Sequence, residues 1–364
     1  MRALLQASKF ANNEWKAYCI ETARAARLED IIIDDRAYLA YRQSFILRSQ
    51  GQEEEAQHII EEILEALPPC SEMGPRLNAI YGLLLSSRSW IHIAQAEFEK
   101  AVVAYSSWTG GESLYEMVAY RKLLTVRGIA SKHLGQLDNA IQDLKVVFDA
   151  AEETRARLYV LANLCDAYCE RGQLDIAHSM LIRSMATEEM DLQDTYHRTI
   201  LLSFAEVCSS LEKYGESNNI LLRLKGQFET GPCTAKNDQQ RHIRALLLLA
   251  QNQHRQAIGP AAWRGTEDLW RDSISLVRKY QVFSTSGWDY ATMCLSLHHA
   301  LRMIPEREQT DEWLQRATDI FLRDGRDHFW MRSLSTRWVP HILKQDLGLS
   351  DHLRSRIMTC AHSV

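Results

Sequence analysis

The chain has 364 residues, a net charge of −5 and a hydrophobic content of 46%. Only 7 residues are proline and 16 are glycine, which together make about 6% of the chain against roughly 12% in an average protein. So few turn residues exclude β-sandwiches, barrels and disordered chains, and they favour an all-helical protein.

Composition also limits the partners and the compartment. No segment approaches the roughly 18 apolar residues of a membrane span, and the arginine-rich stretch 302–337 balances seven Arg with seven acidic residues, so we expect neither a membrane nor a nucleic-acid partner. The first residues are too briefly apolar to predict a signal peptide, and the sequence has no Asn-x-Ser/Thr sequon and no Cys-x-x-Cys motif. We therefore predict a reducing, cytoplasmic location, with Cys165 and Cys169 packed in the core rather than bound to zinc.

The segments LRSQGQEEEAQHII, KHLGQLDNAIQDL and CERGQLDIAHSML share one pattern. A glycine is followed five residues later by alanine, and an apolar residue comes four residues after that. A further small residue lies twelve residues before each alanine. This pattern predicts a glycine turn between two antiparallel helices that approach closely at the small residues. The small residue, glycine, alanine and apolar residue are Ser44, Gly51, Ala56 and Ile60; Gly128, Gly135, Ala140 and Leu144; and Cys165, Gly172, Ala177 and Leu181.

Two degenerate copies fit the same spacing. One is centred on Ala94, with Gly82 before it and Phe98 after it, and the other on Ser217, with Ala205 before it. The key positions 56, 94, 140, 177 and 217 are then 38, 46, 37 and 40 residues apart. A fragment around Tyr18 resembles the second helix of a preceding pair.

These residues resemble the tetratricopeptide repeat (TPR) family. The copy that ends at Ser184 has the family's small, aromatic, alanine and bulky residues at Cys165, Tyr168, Ala177 and Leu181. The resemblance covers about residues 10–230 and implies a right-handed α-solenoid of antiparallel helix pairs. The spacing exceeds the usual 34 residues, which implies longer helices or loops. The segments DDRAYLAYRQSFILRSQGQEEEA and LWRDSISLVRKY also look like TPR proteins of filamentous fungi.

The last third departs from this pattern, so we divide the chain into TPR-like repeats over 1–234 and degenerate repeats with capping helices over 235–364. Helices are predicted over 237–251 and 266–280, with a long loop over 252–265, and further helix pairs follow to the C-terminus. Six of the nine tryptophans lie in this part. They indicate either core packing or an aromatic pocket for a ligand, lined by Trp270, Trp288, Trp313 and Trp330.

Catalytic motifs are missing. The sequence contains no phosphate-binding loop, Gly-x-Gly-x-x-Gly, His-Glu-x-x-His or Gly-x-Ser-x-Gly. We interpret Asp34 and Asp35, and the run 53–55 of glutamates, as acidic residues in the first turns of helices, where they favour the helix dipole. His298 and His299 are adjacent on a helix and point about 100° apart. We therefore expect no metal and no cofactor.

The TPR resemblance implies that the first helix of each pair lines a concave groove. Its side chains would run from basic and aromatic to acidic along the groove, so that a bound peptide would place its acidic end near Arg42 and Arg48. The carboxylate clamp of chaperone-binding TPR proteins is missing. The predicted groove residues are Tyr38, Tyr41, Arg42, Phe45, Arg48, Lys122, Lys132, His133, Asn163, Asp166 and Glu206.

Two functions remain open on the sequence. The first is a scaffold or sensor module that binds a protein or peptide partner without catalysis. The alternative is a fungal small-molecule biosynthetic enzyme of the cyclase or transferase type, in which aromatic side chains stabilise a cation and Asp166 or Glu206 serves as acid or base. A closed pocket with a buried carboxylate would favour the enzyme, and an open, solvated groove would favour the binding module. The oligomeric state is not predicted.

Overall fold

A computed structural model describes residues 32–95, 97–110, 114–187, 190–231, 236–256 and 260–280. These residues form twelve α-helices and one short 3₁₀ turn, Cys70–Glu72, and they contain no β-strand. The helices are α1 (Ile33–Ser49), α2 (Glu53–Ala66), α3 (Pro75–Ala94), α4 (Phe98–Ser106), α5 (Leu114–His133), α6 (Leu137–Asp149), α7 (Thr154–Glu170), α8 (Leu174–Thr187), α9 (Thr195–Ser210), α10 (Tyr214–Thr230), α11 (Lys236–Gln256) and α12 (Pro260–Tyr280).

The chain divides into two compact units, unit 1 (Met1–Asp143) and unit 2 (Leu144–Val364). In unit 1, α1 contacts α2 and α3 contacts α4, while α3 also packs between α1 and α5. In unit 2, α7 contacts α8, α9 contacts α10 and α11 contacts α12, while α9 also packs between α7 and α11. The predicted all-α fold of successive helix pairs is confirmed. The predicted boundary at residues 234/235 stays a prediction.

The predicted glycine turns are also confirmed, and they share one geometry. Gly51, Gly135 and Gly172 have φ angles of 79°, 77° and 83°, in the left-handed region that glycine adopts without strain. In the first turn the amide of Gly51 donates to the carbonyl of Arg48 at 3.1 Å, and the amide of Gln52 donates to Leu47 at 2.9 Å. These two hydrogen bonds form a Schellman motif, which ends the first helix and reverses the chain.

The fourth turn, between α9 and α10, uses the same motif without glycine. Glu212 has a φ angle of 60°, and it lies five residues before Ser217, as each turn glycine lies five residues before its alanine. The amide of Glu212 donates to Ser209 at 3.1 Å, and that of Lys213 donates to Cys208 at 2.8 Å. The degenerate repeat therefore keeps the backbone geometry and tolerates a strained residue.

Small residues twelve apart in the sequence are where the two helices of a pair touch. Cys165 Sγ lies 3.7 Å from the carbonyl oxygen of Ala177, and Ser217 Oγ donates to the carbonyl of Ala205 at 2.7 Å. All four of these residues are fully buried, so a longer side chain at any of them would separate the helices.

The predicted register of the second repeat is wrong. Ala94 is the last residue of α3, so it cannot be the key residue of the second helix. Ser89 and Ala101 take that role, because the Ser89 hydroxyl donates to the carbonyl of Ala101, twelve residues later, at 3.3 Å. The predicted register uses Gly82 as the small residue at the contact between paired helices. A different contact requires glycine at this position. A Cβ at Gly82 would lie 2.8 Å from Trp108 Nε1 and 2.9 Å from Ala119 Cβ.

The predicted loop over 252–265 is wrong as well. Helix α11 continues to Gln256 and helix α12 begins at Pro260. The predicted loop depends on Pro260, but proline is tolerated in the first turn of a helix because the amide there has no partner within the helix.

Each unit has its own apolar core. In unit 1, α1, α2 and α3 meet around Ile60 and Leu84, and Trp108 packs on Leu85 and Leu123. In unit 2, one cluster joins α7, α8 and α9 and includes Cys165 and Cys169, as predicted. A second cluster joins α9, α10 and α11.

Several predictions lie outside the described residues. They are the helix around Tyr18, the C-terminal helix pairs, the His298–His299 pair, and Trp288, Trp313 and Trp330. Among the helices that the structure describes, none is both long and apolar enough to cross a membrane.

Candidate partner-binding surface

The predicted groove residues of helix α1 lie along one side of that helix. Tyr38, Tyr41, Phe45 and Arg48 are spaced three, four and three residues apart, which places them on one helical face. The ring centroids of Tyr38 and Tyr41 are 6.2 Å apart, and both rings pack partly on the core of unit 1. Phe45 is 52% exposed. This is a large apolar side chain in water, with aromatic and cationic neighbours.

Arg48 connects this face to helix α3. Its guanidinium carbon lies 5.7 Å from the centroid of the Trp90 ring, within the range of a cation–π interaction. One guanidinium nitrogen also donates to Ser87 Oγ at 3.3 Å, and Ser87 in turn bonds Ser44 at 2.9 Å. We call the surface formed by Tyr38, Tyr41, Phe45, Arg48 and Trp90 the α1–α3 face.

The corrected register of the second repeat explains this contact. Counting from Ala101 instead of Ala94 places Ser87 and Trp90 at the positions that line the groove in TPR proteins. Ser87 then also occupies the position at which chaperone-binding TPR proteins carry a clamp residue in the second repeat. The carboxylate clamp is still missing, because Tyr41 and Phe45 occupy its positions in the first repeat.

The remaining predicted residues of unit 1 differ in accessibility. Arg42 is half-buried and Lys122 is exposed, whereas Lys132 is only 6% exposed. His133 stacks on Phe98 of helix α4, with ring centroids 4.6 Å apart. Lys122 is therefore the α5 residue best placed to meet a partner.

In unit 2 the predicted acidic residues are less available than the sequence indicated. Asn163 donates to the carbonyl of Tyr159 in its own helix at 3.1 Å, and Asp166 is half-buried. Glu206 is only 2% exposed, and one of its carboxylate oxygens accepts a hydrogen bond from Arg244 of helix α11 at 2.7 Å. Sequence reasoning missed Arg244 because it assigned α11 no groove positions.

Helix α11 brings Asp238 and a further arginine, Arg241, to the same part of unit 2. Asp238 accepts from Arg198 at 2.8 Å and from Arg241 at 3.0 Å. Burial lowers the pKa of Arg241, and the nearby cations Arg198 and Arg244 lower it further against the effect of Asp238. The predicted acidic end of the groove is therefore a mixed network of ion pairs.

Every buried carboxylate among the described residues has a polar partner. Such pairs stabilise charges inside a fold. The pairs are Asp35 with Arg76 at 2.7 Å, Glu116 with Asn78 at 2.6 Å, Asp143 with Arg127 at 2.6 Å, and Glu206 with Arg244 at 2.7 Å.

The predicted aromatic pocket can be located only through Trp270. This side chain is 1% exposed, so it contributes to the packing of unit 2. The other three tryptophans lie outside the described residues.

Three side chains outside these surfaces could together hold a metal ion. Ligand atoms of His178, Cys208 and Glu216 all lie within 4.8 Å of one another. Burial raises the pKa of the Cys208 thiol to about 12, and the neighbouring Glu216 adds to the shift. Sequence reasoning missed this group, because the three residues come from three helices and fit no ligand-spacing motif.

Comparison with known proteins supports the fold class and assigns no function. A Rap protein complexed with competence and sporulation factor has a TM-score of 0.58 to this chain at 10% identity, covering 90% of this chain and 87% of the Rap chain. A tetratricopeptide repeat protein from Parabacteroides merdae has a TM-score of 0.46 at 12% identity, with 82% and 99% coverage. TPR-like repeats of a putative kinesin light chain from Podosopora anserina have a TM-score of 0.37 at 15% identity, with 59% and 100% coverage.

No family model matches the sequence, and no curated protein matches it. The Rap likeness supports the predicted helical-repeat fold class, and TPR proteins are among the structural neighbours.

Proposed function

We propose that this chain is a TPR-type interaction module that binds a polypeptide segment of a partner protein on the α1–α3 face, without catalysis. The observation that carries the proposal is the half-exposed Phe45, flanked along α1 by the Tyr38–Tyr41 pair and by Arg48 against Trp90. Aromatic residues and arginine supply most of the binding energy in protein interfaces. They are here grouped on adjacent first helices of consecutive pairs.

The exposed part of Phe45 sets the expected energy. A phenylalanine buries about 150–250 Å² when it is fully enclosed, so about 100 Å² of Phe45 remains for a partner to cover. At about 25 cal/mol per Å² this area gives about 2.5 kcal/mol, or roughly 60-fold in affinity. Arg48, together with Arg42 and Lys122, favours acidic residues in the bound segment.

The Rap protein supports this proposal only by analogy. It shares the fold and was captured in complex with competence and sporulation factor, and fold alone does not fix function. The finer parts of the proposal are a cytoplasmic location and a relationship to TPR proteins of filamentous fungi. They rest on the sequence resemblance and the cysteine pattern. In the cyclase or transferase alternative, the pairing of Glu206 with Arg244 counts against Glu206 as the acid or base.

A peptide-library selection tests the proposal. Random peptides selected on the full chain should be enriched in acidic and aromatic residues, and Phe45→Ala should weaken their binding by roughly 60-fold. Leu222→Ala is the matched control, because Leu222 on α10 is also 52% exposed. Peptides that bind the Phe45→Ala and wild-type proteins equally well would refute the α1–α3 face as the binding surface.

A further inference from the structure

Three side chains from three helices of unit 2 converge outside the α1–α3 face. His178 lies on α8, Cys208 on α9 and Glu216 on α10. Each offers one ligand atom, and the three atoms lie within 4.8 Å of one another. Cys208 is fully buried, His178 is half-buried and Glu216 is exposed. The thiol is therefore the most deeply buried of the three groups, and the other two side chains lie closer to solvent.

The backbone around this group is held by hydrogen bonds. Cys208 lies in the last turn of α9, and its carbonyl accepts the amide of Lys213 at 2.8 Å in the Schellman turn that leads into α10. Glu216 follows in the first turn of α10. On α8, the ring of His178 packs 5.4 Å from that of Phe204. One hydrogen-bonded turn thus fixes the backbone positions of Cys208 and Glu216, and ring packing places the side chain of His178.

A positive charge already lies at this group. Lys213 Nζ is 3.2 Å from His178 Nε2. An ammonium group has no acceptor, so a hydrogen bond across this distance has Lys213 as its donor. Either ring nitrogen of a histidine can ligate a metal. The Lys213 ammonium therefore lies beside a potential ligand atom.

We propose that His178, Cys208 and Glu216 bind a divalent transition metal of the Zn²⁺ type, with water as the fourth ligand. Nitrogen, sulfur and oxygen donors together suit zinc, and three protein ligands leave one position open. With bond lengths of 2.0–2.3 Å, tetrahedral ligand atoms lie about 3.5 Å apart. Closing from a spacing of up to 4.8 Å requires about 1 Å of movement, which the side chains of exposed Glu216 and half-buried His178 can supply together.

Charge also balances at the site. The Cys208 thiol releases its proton to solvent as the sulfur–metal bond forms. The thiolate and the Glu216 carboxylate then carry two negative charges against the two positive charges of the metal. Lys213 moves aside, since its ammonium would repel the ion. The bound metal would tie α8, α9 and α10 together across two consecutive helix pairs.

Titration of the full chain with Co²⁺ and Zn²⁺ tests this proposal. Co²⁺ should bind with 1:1 stoichiometry and give the charge-transfer absorption of a cobalt thiolate, and Zn²⁺ should displace it. Glu216→Gln, an exposed change that should not disturb folding, is expected to weaken binding by at least about tenfold. Lys213→Ala should tighten it, and Cys208→Ser should abolish the absorption band.

Cys165→Ser is the matched control, because Cys165 is another fully buried cysteine of the same unit. It should keep both the band and the affinity. The proposal is overturned if wild-type protein gives no cobalt thiolate band, or if Glu216→Gln and Lys213→Ala both bind Zn²⁺ as wild type does. Either result is independent of whether the α1–α3 face binds a polypeptide.

Discussion

The turn at Gly172 offers a sharp test of the repeat geometry. Gly172 has a φ angle of 83°, and a Cβ added there would meet no atom within 4 Å. Gly172→Ala therefore creates no clash, and its cost is conformational only. Left-handed backbone costs a non-glycine residue about 1–2 kcal/mol, and the loss of glycine freedom in the unfolded chain returns about 0.4–1 kcal/mol. We expect the variant to lose about 1 kcal/mol of stability.

Two further variants in unit 2 should change stability in the opposite direction. Glu212→Gly removes a strained left-handed residue and should stabilise by about 1 kcal/mol. Gly226 lies inside helix α10, and a Cβ there would also meet nothing within 4 Å. Gly226→Ala should therefore stabilise by about 1 kcal/mol through helix propensity alone.

Urea unfolding followed by circular dichroism measures all three variants. Gly172→Ala and Gly226→Ala make the same chemical change in equally open space, so only the backbone angle separates them. If Gly172→Ala stabilises the protein as Gly226→Ala does, the left-handed turn and the repeat register drawn from it are wrong.

Three further predictions concern packing, a buried ion pair and pH. Gly82→Ala should destabilise unit 1 by about 2 kcal/mol in urea unfolding, because the new methyl group would overlap Trp108. Arg127→Leu should cost about 3 kcal/mol by the same assay, since Asp143 is buried and accepts two hydrogen bonds from Arg127 at 2.6 Å; an unchanged urea midpoint would refute this. Burial lowers the pKa of His92 below the usual 6.5, against the opposing effect of its acidic neighbour Glu97. The unfolded chain therefore binds more protons than the folded chain, and stability is lost as pH falls below about 6.5. His92→Gln should reduce the fall in the urea midpoint between about pH 7.5 and 5.5, whereas an identical pH profile would contradict it.

The sequence predicted the turns and helix pairs well where glycine and alanine mark them. Gly51, Gly135 and Gly172 occupy the left-handed position of their turns, because no other residue adopts that conformation without strain. The same logic failed for the second repeat. Gly82 and Ala94 matched the spacing, but Gly82 is small because Trp108 packs against it. Spacing alone cannot separate a glycine that makes room for an indole from one that makes room for a helix.

The candidate site was predicted only in part. Tyr38, Tyr41, Phe45 and Arg48 share one helical face, as helical periodicity requires. The contribution of Trp90 depended on the corrected register, so counting from Ala94 could not find it. Pairings between distant helices are invisible to local patterns.

Glu206 illustrates such a distant pairing. The sequence predicted it as an acidic residue of the groove, and the structure pairs it with Arg244, 38 residues later. The His178–Cys208–Glu216 group escaped notice for the same reason, because its members meet only after three helices have packed.

Site-specific photo-crosslinking tests the central claim most directly. A benzophenone amino acid placed at position 45 in the full chain, inside the cells that make the protein, should give a light-dependent covalent adduct with a polypeptide. The same probe at position 222, where Leu222 is equally exposed, should give none. Adducts at position 222 and none at position 45, or none at either position, would contradict the account of the α1–α3 face as the partner-binding surface.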